Sequence, residues 1–183
     1  MQVPDITRVE NHVISDEGLM LDFQRGSRPA FEELFARYRE PLSGFFRRRL
    51  TNRERAEDLT QETFIAVIRA TVRYQPKALF RTYLYSIALN LLATERRKLA
   101  RNAPATNESG ENAADEVLWV REALRKLEPS DRDILMLREY EQLSYAEIAE
   151  LLRIPVNTVR SRLFRSRMAL KCHLKPQREG VKC

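Results

Sequence analysis

The chain has 183 residues, a formal net charge of +6 and a pI near 9.6, a length suiting one medium domain or two small ones and a balance favouring a polyanionic partner. Its two cysteines, Cys172 and Cys183, lack C-x-x-C spacing and have only His12 and His173 as further soft ligands, which argues against a disulfide framework, a metal site or another cofactor. No apolar run approaches the roughly 18 residues that span a bilayer, and the N-terminus is acidic where a signal peptide is basic and then greasy, so a soluble, cytoplasmic chain with free thiols is expected.

Five glycines, few strand-like alternations and long stretches of 3.6-residue period predict an all-α fold of two small helical domains joined by a flexible linker. Residues 1–16 lack periodicity and read as a flexible arm. The first domain covers 17–101. Within it a helix from about Arg55 to Thr71 carries a core stripe of Ala56, Leu59, Thr63, Val67 and Ala70. On its back Asp58, Gln61, Glu62 and Ile65 stand at i, i+3, i+4 and i+7. An acidic patch with an apolar residue in it suits a basic partner helix, with charge steering the approach and Ile65 supplying buried area; taken alone, the segment reads equally well as a solvated face.

The next helix, from about Ala78 to Leu99, has a predicted core stripe of Phe80, Leu84, Ile87 and Leu91. Around it lie Tyr74, Tyr83, Tyr85, Asn90, Arg96, Arg97 and Lys98. Rings, an amide and cations together can stack on unpaired bases and hold a strand by its phosphates, a base on an aromatic being worth about 1–3 kcal/mol. For Tyr83 alone a core role is equally open, and the basic run at the helix end also complements the helix dipole. Residues 102–114 are polar, contain Gly and Pro and lack any basic residue, which is a linker composition. The second domain covers 115–175, and 176–183 is a tail.

The second domain carries two short helices joined by a tight turn. Ser144 and Glu147 have the S-x-x-E spacing of a capping box, which sets the start of the first, and Pro155 suits the first turn of the second. From there Val156, Val159, Leu163 and Leu170 recur at helical spacing and face inward, while Asn157, Arg160, Ser161, Phe164 and Arg165 fall on the opposite face, with Thr158 beside them. Arg153 to Lys175 holds seven Lys or Arg and no Asp or Glu. This is the helix-turn-helix plan, with cations for phosphates and Arg, Asn and Ser for base edges in the major groove.

No Gly-rich phosphate loop, no nucleophile with a His partner and no carboxylate cluster with His occurs in the pattern, so neither an enzyme nor a small-molecule substrate is expected. A stand-alone helix-turn-helix regulator is the main alternative, and a DNA-strand enzyme a more distant one. Three stretches decide the reading: Phe31 to Tyr38 with Ala56 to Phe64, Phe80 to Asn90, and Leu127 to Leu170. In this order they resemble the bacterial RNA polymerase sigma factors, specifically the small two-domain extracytoplasmic-function class, over about residues 17–174.

The resemblance implies that Asp58, Gln61, Glu62 and Ile65 dock on the clamp helices of the largest subunit of core RNA polymerase. It implies that Tyr74, Tyr83, Asn90, Arg96 and Arg97 meet the promoter minus-ten element as it opens. It also implies that Asn157, Thr158, Arg160, Ser161, Phe164 and Arg165 meet the minus-thirty-five element, and that an anti-sigma protein holds the factor inactive. Differences from the usual family pattern are Tyr83 in place of Trp, Ser86 in place of a basic residue, Glu128 before Pro129 in place of Leu, and Asn157 in place of Gly.

Overall fold

The computed structural model describes residues 14–102, 120 and 122–174. Cys183, the 1–13 stretch of the expected arm, most of the linker, the start of the second domain and the tail lie outside the described residues. Those described hold no strand, and no helix among them is long and apolar enough to cross a membrane.

The first domain packs α1 (Asp16–Gln24), α2 (Arg28–Arg47), α3 (Arg53–Ala70) and α4 (Phe80–Asn102). Each start has a local cause. Ser15 caps α1 by accepting from Gly18 N at 3.1 Å, and Asn52 caps α3 by accepting from Arg55 N at 2.9 Å. Helix α1 ends where Gly26 takes φ 103°, a left-handed value that costs glycine nothing. The start of α4 is capped from afar: Phe80 N donates to Glu17 Oε1 of α1 at 2.6 Å. Between α3 and α4 a 3-10 turn, Thr71–Arg73, is held by Gln24, whose amide donates to the carbonyls of Thr71 at 2.7 Å and Tyr74 at 3.2 Å.

Leu34, Leu42, Phe45, Phe46, Ala56, Leu59, Val67, Phe80, Leu84 and Leu92 form the buried centre of this domain. The expected stripe of α3 is buried from Ala56 to Val67, with Ala70 half-buried; Thr60 points inward too, and Thr60 and Thr63 donate to the carbonyls of Ala56 and Leu59, so neither of these two hydroxyls is stranded. The stripe expected on α4 is corrected. Phe80 and Leu84 are buried, but further on Tyr85, Ala88 and Leu92 take the interior while Ile87 and Leu91 are half-buried. The cause is tertiary, since α4 is covered on one side by α3 and on another by the second domain.

That second domain is α5 (Pro129–Glu139), α6 (Tyr145–Leu152) and α7 (Val156–Leu174) around Ile134, Leu137, Leu143, Ile148, Val159 and Leu163. It lies against α4 and the end of α2, with apolar packing and ion pairs across the contact. Glu141 accepts from Arg48 at 2.9 Å, Arg49 at 3.2 Å and the Tyr85 hydroxyl at 3.2 Å. Asp133 accepts two bonds from Arg96 at 2.9 and 3.3 Å, and Glu147 accepts two from Arg81.

Candidate nucleic-acid and protein interfaces

The turn of the helix-turn-helix is built as the sequence predicts. Ser144 Oγ accepts from Glu147 N at 3.2 Å while Glu147 Oε2 accepts from Ser144 N at 2.8 Å, closing the capping box reciprocally. Helix α6 stops at Arg153, which sits in the left-handed region at φ 53°, and α7 starts one residue after Pro155. Val159 and Leu163 are buried, Leu170 is half-buried, and Val156 is exposed at 37 %, not inward. It stands in the first turn, where the helix start runs clear of the core.

Asn157, Arg160, Ser161, Phe164 and Arg165 are all exposed, and Thr158 is half-buried. The arginines of α7 divide into two sets. Arg162 and Arg167 are tied back to α5, Arg162 to Asp131 at 4.0 Å and Arg167 to Glu139 at 2.8 Å, whereas Arg160 and Arg165 have no ion pair among the described residues. One set braces the helix; the other has its donors free to meet an external acceptor.

On α3, Asp58 and Gln61 face solvent and Ile65 is 44 % exposed. Arg55 sits within this patch, 2.7 Å from Glu62, 3.8 Å from Asp58 and 2.8 Å from Glu95 of α4. Hydrogen bonding from Arg55 holds the Glu95 carboxyl below its ordinary range. Arg55 thus cross-links α3 to α4 and takes part of the charge of Glu62, leaving Asp58 as the most open carboxylate. Beyond Ile65 the surface turns apolar with Ile68 and Val72, 45 % and 87 % exposed, beside a groove of about 900 Å³ lined in part by Ile65, Ala66, Val72 and Leu91.

On α4 and in the segment before it the aromatic residues separate by burial. Tyr74 is 6 % exposed, packed 5.3 Å from the Tyr83 ring and 6.4 Å from Phe80, and burial, with Glu17 nearby, pushes its phenol up to about 12. Tyr74 therefore backs Tyr83 from below and offers no face for stacking. Tyr83 is half-buried at the rim, and Asn90 and Arg97 are exposed. Tyr85, read from sequence as part of the surrounding surface, is buried, and burial followed by the charge of Glu141 pushes its phenol well above its ordinary range. Arg96 is half-buried against Asp133.

Two family models match the chain, Sigma-70 region 2 over residues 34–102 and Sigma-70, region 4 over residues 118–170. The RNA polymerase sigma-H factor of Pseudomonas aeruginosa is 32 % identical over 88 % of this chain and 94 % of its own length. The ECF RNA polymerase sigma-E factor of Escherichia coli K12 is 34 % identical over 89 % of this chain and 96 % of its own. The chain is an extracytoplasmic-function sigma factor. The stand-alone regulator and the DNA-strand enzyme thereby fall away. The sigma factor also shares its fold with CnrH, solved in complex with the cytosolic domain of CnrY, at a TM-score of 0.72 and 29 % identity over 87 % of this chain and 96 % of that one. A second likeness of fold is the sigma factor RpoE of Bartonella quintana, solved in complex with the anti-sigma factor NepR, at a TM-score of 0.66 and 22 % identity, covering 81 % of this chain and 98 % of that one.

Sequence reasoning missed parts of the surfaces that α3 and α4 give the sigma factor. Ile68 and Val72 continue the helical spacing from Ile65 and were within reach of the same pattern. Arg55 and the pairing of Arg96 were not, because their partners Glu95 and Asp133 stand on other elements.

Proposed function

We propose that residues 17–101 of this sigma factor act as its region 2 and residues 115–175 as its region 4. In this reading Asp58, Gln61, Glu62 and Ile65, extended by Ile68 and Val72, dock on the basic clamp helices of the polymerase largest subunit. Tyr83, Asn90, Arg96 and Arg97, with Tyr74 as backing, hold the minus-ten element as it opens. Asn157, Thr158, Arg160, Ser161, Phe164 and Arg165 read the minus-thirty-five element. The observation that carries the assignment is the division of arginines on α7: those on the outer face are unpaired among the described residues, while their neighbours brace the fold. The factor binds and positions in the cytoplasm, without chemistry of its own. An anti-sigma partner belongs to the reading, supported by the similar CnrH being seen with the cytosolic domain of CnrY.

Open-complex formation by the reconstituted holoenzyme tests it. Tyr83→Ala or Asn90→Ala should slow opening of a closed promoter at least tenfold and have little effect on a template with a pre-opened bubble, because the bases are already unstacked there. Equal defects on both templates would give these side chains a folding role instead.

A further inference from the structure

The stretch between α3 and α4 carries Tyr74 and leads into the turn of α4 that holds Tyr83. Beyond the two helices it joins, every hydrogen bond of residues 71–80 among the described residues goes to α1. At one end the Gln24 amide donates to three carbonyls, those of Thr71 at 2.7 Å, Tyr74 at 3.2 Å and Val72 at 3.3 Å. At the other end Glu17 Oε1 accepts from Phe80 N at 2.6 Å, a carboxylate set against the positive end of α4.

Glu17 and Gln24 stand on one face of α1, two turns apart, which is about 10 Å along the helix. The chain from Tyr74 to Phe80 would extend to about 20 Å. The anchors are thus spaced at half the reach of the chain between them, and that chain bows outward, with Gln75, Pro76, Lys77 and Leu79 exposed. It starts at Tyr74, whose buried ring lies 5.3 Å from that of Tyr83. Gln24 is itself exposed. Water can take its place on carbonyls so near the surface, so its amide adds little to the stability of the fold. What it supplies is a fixed position for the segment.

We propose that Gln24 and Glu17 are positioning residues for strand holding: from α1 they fix the bowed segment and, through Tyr74, the angle at which Tyr83 meets an unpaired base. Neither touches the strand itself. The proposal rests on the assignment of Tyr83 to the minus-ten element.

The test combines amide exchange in the full chain with promoter opening by the reconstituted holoenzyme. Gln24→Glu sets a carboxylate against the carbonyls and should free the segment, whereas Gln24→Lys brings an ammonium with three donors and should keep it. Amide exchange across 75–80 should speed about tenfold in Gln24→Glu, and that of Phe80 likewise in Glu17→Ala, with exchange from Leu59 to Val67 unchanged as the check on folding. Should Gln24→Glu fail this check, the milder Gln24→Ala decides. Gln24→Glu should slow opening of a closed promoter about fivefold and leave a pre-opened template nearly unaffected, and Gln24→Lys should restore the rate. Added to Tyr83→Ala it should cost nothing further, because it acts through that ring. Unchanged exchange, faster exchange without slower opening, or a defect that adds to that of Tyr83→Ala overturns the proposal. If Tyr83→Ala slows the closed promoter and the Gln24 variants do not, the positioning role alone falls. If Tyr83→Ala has no effect, the minus-ten assignment falls and the positioning role with it.

Discussion

Reversing the two carboxylates of the docking face, Asp58→Lys with Glu62→Lys, separates its electrostatic from its apolar contribution. In the free factor little should be lost. Asp58 is open, with its side chain 61 % exposed, and the pair of Glu62 with Arg55 is a surface contact worth at most about 1 kcal/mol, while Arg55 keeps Glu95 at 2.8 Å. Against a basic partner the change is larger. Opposite charges about 4 Å apart gain roughly 1 kcal/mol in a fully hydrated contact, so turning two attractions into two repulsions costs about 4 kcal/mol, nearly a thousand-fold in affinity. Ile65 is 44 % exposed, and since burying a whole side chain of its size is worth about 1.5–3 kcal/mol, Ile65→Ala should cost about 1 kcal/mol, or fivefold. Salt distinguishes the two. The screening length falls from about 10 Å at 0.1 M to about 3 Å at 1 M, so the charge penalty should shrink severalfold while that of Ile65→Ala stays. Competition binding of labelled factor to core polymerase at the two ionic strengths reads both. A double-reversal penalty that is absent, or that does not move with salt, would refute electrostatic docking through this face.

Arg160→Ala or Arg165→Ala should cost about 1–3 kcal/mol on the cognate minus-thirty-five duplex and narrow the gap to base-substituted duplexes, whereas Arg162→Ala should act through stability; uniform loss across a duplex panel in the first two would sink the recognition face. Burial pushes the Glu147 carboxyl up, but hydrogen bonds from Arg81 and Ser144 and the charge of Arg81 pull it further down, to about 2 against an ordinary 4.5. Its contribution is therefore complete above about pH 4.5 and is lost as pH falls toward 2, so Glu147→Gln should flatten the thermal-stability profile in that window; an unchanged slope would refute the pairing. Arg153 sits at φ 53°, a value that glycine adopts without a Cβ clash, so Arg153→Gly should raise stability by up to about 1 kcal/mol in urea unfolding, and a loss would show that the side chain holds something.

What the sequence determined by itself was local. The capping box of Ser144 and Glu147, the interior positions of α3 from Ala56 to Val67 and the outward set on α7 follow from interactions within one or two helical turns. Their information lies in neighbouring residues, and a single buried side gives one clean period. Helix α4 defeated that logic because it is covered on two sides. A second contact broadens the apolar arc, so periodicity alone chose Ile87 and Leu91 where packing buries Tyr85, Ala88 and Leu92. The fate of the charged and aromatic site residues was likewise tertiary. Tyr74 is closed off by Phe80 and Tyr83, Arg55 spans to Glu95, and Arg96 meets Asp133, 37 positions away. Glu141 meets Arg48 across 93. No spacing rule encodes such pairs, since which cation meets which carboxylate depends on how two separately folded units dock, and that docking rests on surfaces assembled from several helices.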